Sequence, residues 1–338
     1  MTDLVRPVTI IAEAGVNHNG DVALARKLID VAVNAGADIV KFQTSIPEAH
    51  ISSCAPKAQY QQERTGRGET QLEMIKKIRL PQVHLPDLKA YCESKGIMFW
   101  CTAFDLHSVA LLHNMGLGLW KIPSGEITNV PYLRRIGGYG QRIIMSTGMA
   151  FLGEVEKALA ILEDAGTLRQ NITLLHCTTE YPANMNDVNL RAMITMQAAF
   201  PGIAGIGYSD HTPGIEIPLA AVALGATVIE KHITLDKNME GPDHAASLNP
   251  EELHALVRGI RNVERALGNG IKKPAPEELR NAVAARKSLV AARDIAKGEL
   301  LTEDNITTKR PGSGVSAVHW DDYLGRQALR DYKADELL

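Results

Sequence analysis

Short apolar runs alternate with longer amphipathic segments from residue 8 to residue 270 of the chain. The short runs predict buried β-strands, and the segments with apolar residues at every third or fourth position predict helices. The predicted strands span residues 8–12, 38–42, 97–101, 117–122, 142–145, 172–175, 203–207 and 227–229. The predicted helices span residues 22–35, 83–95, 106–115, 130–136, 152–165, 190–200, 215–224 and 251–267.

Eight alternating strand and helix units match the requirement of a (β/α)8 TIM barrel, in which parallel strands close inside a ring of helices. An open, doubly wound parallel sheet is the alternative fold. Such a sheet usually ends after its sixth strand, and no Gly-x-Gly-x-x-Gly sequence follows the first predicted strand. We therefore predict an α/β fold built on a TIM barrel.

The connection between the second and third predicted strands is unusually long. It runs from Thr44 to Pro81 and is mostly polar. Ordinary connections between a strand and the next helix have about 2–6 residues. We predict an insertion over the face of the barrel where the strands end, in the position of a lid.

The pattern changes after residue 270. A proline-containing and lysine-containing stretch at 272–276 is typical of a linker, and short strands and turns follow it. We predict a barrel domain over 1–270, a linker over 271–284 and a small, mostly β domain over 285–338. The last domain is small for an independent core, so we expect it to pack on another surface.

Composition and charge exclude several classes of function. The net charge of −3 gives no basic field that would attract nucleic acid. The longest apolar run, 217–229, is interrupted and is shorter than the roughly 20 residues of a membrane span. The amino terminus lacks the features of a signal peptide. The four cysteines lack Cys-x-x-Cys spacing, so we expect reduced thiols in a cytoplasmic protein.

Polar side chains stand at the carboxyl ends of all eight predicted strands. Catalytic residues of TIM barrels lie at these ends. The strand-end residues are Glu13, Lys41, Gln43, Thr102, Lys121, Ser124, Glu126, Ser146, Thr147, His176, Ser209, His211, Glu230 and His232. This distribution predicts an active site at the carboxyl face of the barrel.

Two histidines follow consecutive strands at the same end of one β-α-β unit. His211 follows the seventh predicted strand and His232 the eighth, with one short helix between them. Two neutral imidazoles that converge at the mouth of a parallel sheet can bind a divalent metal. The alternative is a pair of unrelated loop histidines.

Two lysines inside apolar strands indicate an anionic ligand. Lys41 and Lys121 are costly to bury and repel each other unless an anion lies between them. A ligand with a carboxylate and a phosphate would satisfy both ammonium groups. One alternative pairs each lysine with a local glutamate such as Glu126. Another is a Schiff-base aldolase with a nucleophilic lysine, which the metal-type histidine pair disfavours.

Two acidic residues are further candidates. Glu13 follows the first strand and precedes a glycine-containing turn, so its carboxylate can serve as an acid or base in the mouth of the barrel. A helix cap or salt-bridge partner is the alternative for Glu13. Asp243 lies in the long loop after the eighth strand, where it can bind sugar hydroxyl groups or begin a turn.

The motifs at these positions together resemble the bacterial sialic acid synthase family. They are 12–20 (AEAGVNHNG), 40–44 (VKFQT), 120–126 (WKIPSGE), 146–149 (STGM), 176–182 (HCTTEYP), 208–212 (YSDHT), 230–232 (EKH) and 241–243 (GPD). The segments 296–300 (AKGEL) and 309–312 (KRPG) resemble the antifreeze-like (SAF) domain of that family. The resemblance covers almost the whole chain.

The resemblance implies an enzyme that condenses phosphoenolpyruvate with N-acetylmannosamine and water to give N-acetylneuraminate and phosphate. It implies a divalent metal, with Mn²⁺ expected and Mg²⁺ or Co²⁺ as alternatives. It also implies a homodimer in which the carboxyl-terminal domain covers the partner's barrel. Other members make N,N'-diacetyllegionaminate from a diacetylated trideoxyhexose, which is the alternative function. A non-catalytic sugar-binding barrel is disfavoured because the ionisable strand-end residues are intact.

The resemblance also implies roles for individual residues. His211 and His232 match metal ligands, and Glu13 matches a glutamate near the reacting carbons. The positions that match phosphoenolpyruvate contacts are Lys41, Thr102, Lys121, Ser124, Ser146, Thr179 and Ser209. The positions that match sugar contacts are Gln43, Glu126, Tyr181, Asp243 and, from the partner subunit, Arg310. At Thr179 the family can carry an asparagine, so this chain departs from the pattern there.

Overall fold

The computed structural model describes residues 7–338. The amino-terminal residues on which the expectation of no signal peptide depends lie mostly outside this range. The described chain forms two compact units, which divide between Gly268 and Asn269. In the part of the chain that the structure describes, no helix is both long enough and apolar enough to cross a bilayer.

The first unit is a barrel of eight parallel strands. They are β1 (Thr9–Gly15), β2 (Ile39–Thr44), β3 (Met98–Ala103), β4 (Leu119–Ile122), β5 (Arg142–Ser146), β6 (Ile172–Cys177), β7 (Gly205–Asp210) and β8 (Val228–His232). They are hydrogen-bonded in the order β3-β2-β1-β8-β7-β6-β5-β4. Between β3 and β4 the indole Nε1 of Trp100 donates to the carbonyl of Leu119 at 2.7 Å, so the barrel is nearly closed. The predicted barrel is confirmed.

Helices follow the strands along the chain. They are α1 (Val22–Ala35), α2 (Pro47–His50), α3 (Gln59–Thr65), α4 (Gln71–Ile78), α5 (Leu85–Lys95), α6 (Leu106–Asn114), α7 (Val130–Gly137), α8 (Leu152–Ala165), α9 (Arg191–Ala199), α10 (Glu216–Ala223) and α11 (Pro250–Leu267). The sequence sets their ends locally. In α1, the side chain of Asp21 caps the first turn, and Gly36, at φ 80°, ends the helix in the left-handed conformation.

Apolar side chains fill the lower part of the barrel interior. The buried residues of this layer are Ile11, Ile39, Trp100, Ile144, Leu175 and Val228, with Leu119 packed against them. Side chains in a strand alternate between its two faces, so the residue two positions later on each strand also points inward. Those later residues form the upper part of the interior.

Several strands extend further toward their carboxyl ends than the apolar pattern predicts. The seventh was predicted over 203–207 and is observed over Gly205–Asp210, and the eighth was predicted over 227–229 and extends to His232. The ladder pairs Glu13 with His232 in β1 and β8. Polar residues that were expected just after the strands therefore sit on backbone that the sheet fixes.

The predicted insertion contains the three short helices α2, α3 and α4. Asp105 holds its first residues, because Oδ2 accepts a hydrogen bond from the backbone N–H of Ile46 at 2.7 Å. The other carboxylate oxygen of Asp105 caps α6 by accepting from the N–H of Ser108 at 2.8 Å. One side chain thus ties the insertion to the helix that follows β3.

The second unit contains α12 (Pro276–Ala285), β9 (Ser288–Ala291), β10 (Ile306–Lys309) and α13 (Trp320–Tyr323). Strands β9 and β10 are antiparallel. The small core of this unit consists of Ala291, Ile295, Leu301, Ile306 and Ala328. Helix α12 occupies most of the segment that was expected as a linker. Its proline at the first turn and its two following glutamates favour a helix start, although none of its residues is buried.

Candidate active site

A cavity of about 370 Å³ opens at the carboxyl ends of the barrel strands. This volume is in the range of sites for small-molecule substrates. The predicted site residues that line it are Glu13, Lys41, Gln43, Thr102, Lys121, Ser124, Ser146, Thr179, Tyr181, Ser209, His211, His232 and Asp243. The structure thus brings together residues from all eight strands and the loops that follow them.

Three barrel residues that were singled out in the sequence do not line this cavity. One is Thr147, whose Oγ1 donates to the carbonyl of Leu175 at 2.9 Å. The Glu126 carboxylate is half-buried, accepts a hydrogen bond from Asn129 Nδ2 at 2.5 Å and does not line the cavity. His176 Nε2 contacts the carbonyl of Val188 at 2.7 Å, again outside the cavity lining. Arg310 belongs to the second unit, where its Nε donates to the carbonyl of Ala285 at 3.0 Å.

Lys41 lies at the centre of one half of the cavity floor. Its Nζ is 2.7 Å from Glu13 Oε2 and donates to Thr102 Oγ1 at 3.1 Å. Glu13 Oε1 in turn accepts a hydrogen bond from Gln43 Nε2 at 2.8 Å. Strand neighbours β1, β2 and β3 supply these residues, so the ladder fixes their spacing.

Lys121 occupies the other half of the floor. Its Nζ donates to Ser146 Oγ and to Glu230 Oε1, both at 2.7 Å. Ser209 Oγ donates to the same Glu230 oxygen at 3.0 Å. The second oxygen of Glu230 is 3.7 Å from Lys41 Nζ. Glu230 therefore bridges the two lysines.

This bridge corrects one expectation from the sequence and supports its alternative. The anion between the lysines is the carboxylate of Glu230, so an external ligand is not needed to offset the repulsion between Lys41 and Lys121. The alternative, in which each lysine is paired with a glutamate, is what the structure shows. The partners are Glu13 for Lys41 and Glu230 for Lys121, and Glu126, the example named from the sequence, is not among them. Each ammonium group has three N–H donors and uses two at close range, which leaves one donor on each lysine for a ligand.

Burial and charge shift the ionisation of this cluster in different directions. Burial raises the pKa of Glu13 above its ordinary value despite the opposing charge of Lys41. For Glu230 burial acts in the same direction, but Lys121 and Lys41 outweigh it and hold its pKa well below the ordinary range. Burial lowers the pKa of Lys121, although Glu230 opposes the shift. Two neighbouring carboxylates with pKa values pushed apart are typical of acid–base sites.

The two histidines converge beside this cluster. The ring centroids of His211 and His232 are 5.5 Å apart. His211 Nδ1 is 2.7 Å from the carbonyl of Thr178, which can only accept a hydrogen bond, so Nδ1 carries a proton and the neutral form of His211 has its lone pair on Nε2. His232 Nδ1 is buried without a hydrogen-bond partner. Burial, together with the neighbouring His211, holds the pKa of His232 well below its ordinary value, so its imidazole is neutral.

This pair fits a divalent cation with open coordination positions. Within residues 7–338, no group of three or more His, Cys, Asp or Glu side chains is arranged around a common point for a metal. A cation here would be held by two imidazoles and would complete its coordination from substrate or water. Open positions of this kind are typical of catalytic rather than structural metal sites.

A close approach of backbone to side chains forms one wall of the cavity. A Cβ at Gly148 would lie 2.2 Å from Thr179 Oγ1 and 2.8 Å from Ser124 Oγ, so this position has room only for glycine. Ser124 Oγ accepts the N–H of Gly148 at 3.0 Å. The hydroxyl of Thr179 is buried without a partner. It therefore remains available at the position where the family can carry an asparagine.

The insertion contributes residues that the sequence analysis did not identify. Tyr60 stacks on Tyr181 with ring centroids 4.9 Å apart, and Tyr181 packs on His211 at 4.0 Å. Ile51, Ile75 and Arg79 also line the cavity, as do Gln61 and Gln71. No apolar or charged pattern in the polar segment 44–81 distinguishes these side chains. Their proximity to the barrel mouth was the only available signal.

Asp243 lies at the rim of the cavity near this insertion. Burial raises its pKa to about 6, although the nearby His211 opposes the shift. Its backbone carbonyl accepts a hydrogen bond from Ser247 Oγ at 2.7 Å, which orders the loop after β8. The carboxylate is thus presented from an ordered loop and is suited to accept hydrogen bonds from hydroxyl groups.

Comparisons with known proteins match both units. The model of the NeuB family matches residues 28–272, and the model of the SAF domain matches residues 286–338. The chain is 54% identical over 334 residues to the N,N'-diacetyllegionaminic acid synthase of Campylobacter jejuni, with 99% of both chains covered. It is 42% identical over 331 residues to the synthase of the same name from Legionella pneumophila, with 97% of this chain and 92% of that protein covered.

A solved structure of a related synthase also matches the chain. The crystal structure of the N-acetylneuraminic acid (sialic acid) synthetase of Leptospira borgpetersenii matches with a TM-score of 0.70 and 36% sequence identity. The match covers 81% of this chain and 90% of that chain. Sequence and structure comparisons therefore agree on one class of biosynthetic synthase.

Proposed function

The chain belongs to the NeuB family, and from that premise we propose that it condenses phosphoenolpyruvate with a diacetylated trideoxyhexose to give N,N'-diacetyllegionaminate and phosphate. The observation that carries this proposal is the 54% identity, over 99% of both chains, to the C. jejuni synthase of that product. The similarity to the Leptospira sialic acid synthetase is lower, at 36%. The comparisons thus favour the alternative from the sequence over N-acetylneuraminate synthesis.

The residues that the insertion contributes to the cavity favour a deoxy sugar as the substrate. Ile51 and Ile75 give the cavity an apolar surface that suits a methyl group better than a hydroxymethyl group. The half-buried Arg79 of the same wall can donate to an acetamido carbonyl. A sugar with two acetamido groups and a terminal methyl group presents both kinds of surface.

Phosphoenolpyruvate is proposed to bind on the floor of the cavity. The free N–H donors of Lys41 and Lys121 would contact its two anionic groups, and Thr102, Ser124, Ser146, Thr179 and Ser209 would supply hydroxyl groups. Because Glu13 and Glu230 balance the charges of the two lysines, the floor is neutral when all four groups are ionised. The floor therefore orients the anion through directed hydrogen bonds as well as through charge.

The proposed reaction forms one bond between carbons and breaks one carbon–oxygen bond. The methylene carbon of phosphoenolpyruvate attacks the aldehyde carbon of the open-chain sugar, and the aldehyde oxygen takes up a proton. Water adds to the enol carbon, and phosphate leaves with its bridging oxygen. Glu13, buried beside Lys41 and raised in pKa, is proposed to orient this water or to move its proton.

His211 and His232 are proposed to hold a divalent cation, with Mn²⁺ as the expected ion. A cation at this position supplies Lewis-acid polarisation of the aldehyde. Gln43, Tyr181 and Asp243 would contact the sugar around it. Holding aldehyde and enol phosphate in one cavity replaces an encounter in solution by an oriented contact.

The resemblance to the family supports proposals about assembly and location. We propose a homodimer in which the SAF domain covers the partner's barrel, with Arg310 reaching the sugar. Glu126 would approach the sugar only after a rearrangement of its loop, because its carboxylate is now bonded to Asn129. The four cysteines are unpaired thiols, in keeping with action in the cytoplasm.

Phosphate release from phosphoenolpyruvate tests the proposed function. The full-length protein with Mn²⁺ is assayed with the diacetylated trideoxyhexose and, in parallel, with N-acetylmannosamine. We expect a kcat/KM at least tenfold higher with the diacetylated sugar. A preference for N-acetylmannosamine would assign the chain to N-acetylneuraminate synthesis, and no release with either sugar would leave a binding protein.

The metal role has its own test. We expect EDTA to abolish phosphate release and Mn²⁺ to restore it. His232→Ala should lose at least a thousandfold in kcat while it keeps the circular dichroism spectrum of the unmodified protein. Release that survives EDTA, or substantial activity in His232→Ala, would remove the proposed metal from the reaction.

A further inference from the structure

A buried ion pair lies behind the two histidines, on the opposite face of the strands from the cavity. Lys231 Nζ is 2.5 Å from Asp210 Oδ2, and neither side chain is more than 1% exposed. Neither residue lines the cavity. Strand alternation explains the separation, because Ser209 and Glu230 point to the interior and their successors point to the helix layer.

The pair occupies a particular place in the sheet. Asp210 and Lys231 are direct partners in the ladder between β7 and β8, and each immediately precedes a histidine. Strand β7 ends at Asp210, so His211 is the first residue beyond the ladder. The ladder therefore holds His232, whereas His211 lies beyond it, where its carbonyl accepts a hydrogen bond from the N–H of Ala183 at 2.9 Å.

Thr212, the residue that follows His211 in the chain, is also hydrogen-bonded to the ion pair. Asp210 Oδ1 accepts hydrogen bonds from the Thr212 N–H at 3.0 Å and from its hydroxyl at 2.9 Å. Lys231 Nζ also donates to the carbonyl of Thr212. The residues on both sides of His211 are thus bound to the residue that precedes His232.

Stability alone does not explain these charges. A buried ion pair is commonly no more stabilising than an apolar pair of the same volume, because both charges lose their hydration. A pair that faces away from the cavity cannot contact a substrate either. The pair instead fixes the end of β7 and the loop that follows it relative to the end of β8.

We propose that Asp210, Lys231 and Thr212 are positioning residues that set the spacing and orientation of His211 and His232 for a divalent cation. This inference rests on the metal role proposed above for the two histidines. It adds three residues that are not among those that line the cavity. Groups that orient metal ligands commonly change metal affinity about tenfold to a hundredfold when they are removed.

The central experiment removes both charges together. In Asp210→Asn/Lys231→Met the side-chain volumes are nearly kept and no unpaired charge remains. Metal-stripped full-length protein is titrated with Mn²⁺, and free Mn²⁺ is followed by electron paramagnetic resonance. We expect the dissociation constant to rise about tenfold to a hundredfold. The melting temperature of the metal-free protein should stay within a few degrees of the unmodified protein.

A milder pair of variants keeps the test valid if the double variant does not fold. Thr212→Val removes only the hydroxyl group that donates a hydrogen bond to Asp210, whereas Thr212→Ser retains this group. We expect Mn²⁺ affinity to fall severalfold in Thr212→Val and to remain within twofold in Thr212→Ser. Equal affinities in the two variants would contradict the proposed role of this hydroxyl.

A control removes a partly exposed ion pair at the other end of the barrel. Arg169 Nη2 and Glu163 Oε2 are 2.7 Å apart, and both residues precede the amino end of β6 in the chain. Glu163→Gln/Arg169→Met should bind Mn²⁺ like the unmodified protein. Unchanged affinity in the Asp210/Lys231 variant, or an equal loss in the control, would overturn the positioning role. Absence of Mn²⁺ binding to the unmodified protein would instead overturn the metal role, and the positioning role with it.

Discussion

The interior of the barrel has two layers of side chains, and on each strand the residue in the upper layer comes two positions after the residue in the lower layer. The lower layer consists of Ile11, Ile39, Trp100, Leu119, Ile144, Leu175 and Val228. The upper layer, two positions later, consists of Glu13, Lys41, Thr102, Lys121, Ser146, Cys177 and Glu230. Both layers are almost entirely buried, so solvent exposure does not distinguish them.

Composition distinguishes the layers instead. In the lower layer the side chains contact one another and fill the space. In the upper layer each charge has a partner, and the side chains surround a cavity. The same strands thus carry a packed apolar layer and, next to it, a cavity lined by polar side chains. The pairing of charges allows these polar side chains to be buried beside the apolar layer. Stability should depend on both layers, but activity should depend directly only on the upper one.

The largest effect is expected when an apolar residue is placed in the upper layer. Glu230→Leu leaves Lys121 and Lys41 without the carboxylate that bridges them. We expect the free energy of unfolding to fall by about 3–5 kcal/mol, because an unpaired buried charge remains. Phosphate release should fall at least a thousandfold. Urea denaturation and the phosphate assay measure the two quantities.

Glu230→Gln is the matched variant for this substitution. It keeps the shape of the side chain and an oxygen for Ser209, so we expect a smaller loss of stability with a similar loss of activity. If Glu230→Leu were as stable as the unmodified protein, the charge pairing would not be what holds the upper layer together.

A truncation in the lower layer should affect stability without affecting chemistry. Ile144 is 6% exposed and lies two residues before Ser146 on β5. Ile144→Ala should lower the free energy of unfolding by about 2–5 kcal/mol through lost burial and a cavity. The kcat measured well below the melting temperature should remain within twofold. A hundredfold loss of kcat in the folded variant would break the distinction between the layers.

A smaller effect is expected where backbone approaches the upper layer. Gly148→Ala would displace Thr179 and Ser124, whose hydroxyl groups lie 2.2 Å and 2.8 Å from the added Cβ. We expect the KM for phosphoenolpyruvate to rise about tenfold, which corresponds to about 1.4 kcal/mol. Gly153→Ala is the control, because its Cβ would meet no atom within 4 Å. Equal kinetics in the two variants would show that the displaced hydroxyl groups do not contact phosphoenolpyruvate.

The smallest effect is expected in the insertion, outside both layers. Arg79→Gln should raise the KM for the diacetylated sugar about threefold to tenfold, the equivalent of one hydrogen bond, and leave the KM for phosphoenolpyruvate unchanged. Arg64→Gln, an exposed change in α3 away from the cavity, should change neither constant. A rise in the KM for phosphoenolpyruvate in Arg79→Gln would instead assign this guanidinium to the anion.

The sequence was sufficient to predict the barrel because its strands are short, apolar and regularly separated. It was also sufficient to locate Glu13, Lys41, Lys121, His211 and His232 at one end, since parallel strands expose their carboxyl ends on the same face. The strand ends were placed too early wherever polar residues continue the ladder, as in β7, which reaches Asp210.

The partners within the site were less predictable. Glu230 was noted at a strand end, but its bridge between the lysines joins residues 109 positions apart in the chain. Tyr60 lies in a polar segment without periodicity, and its contact with Tyr181 depends on how the insertion folds back over the barrel. Local patterns specify which face a side chain occupies, whereas such long-range pairings require the assembled fold.

Anomalous diffraction from crystals of the full-length protein soaked with Mn²⁺ and phosphoenolpyruvate tests the two-layer account most directly. The account predicts one strong Mn²⁺ peak within bonding distance of ring nitrogens of His211 and His232, with the enol phosphate bound to Lys41 and Lys121 above the apolar layer. Mn²⁺ or phosphoenolpyruvate bound only at sites away from these four side chains would contradict it.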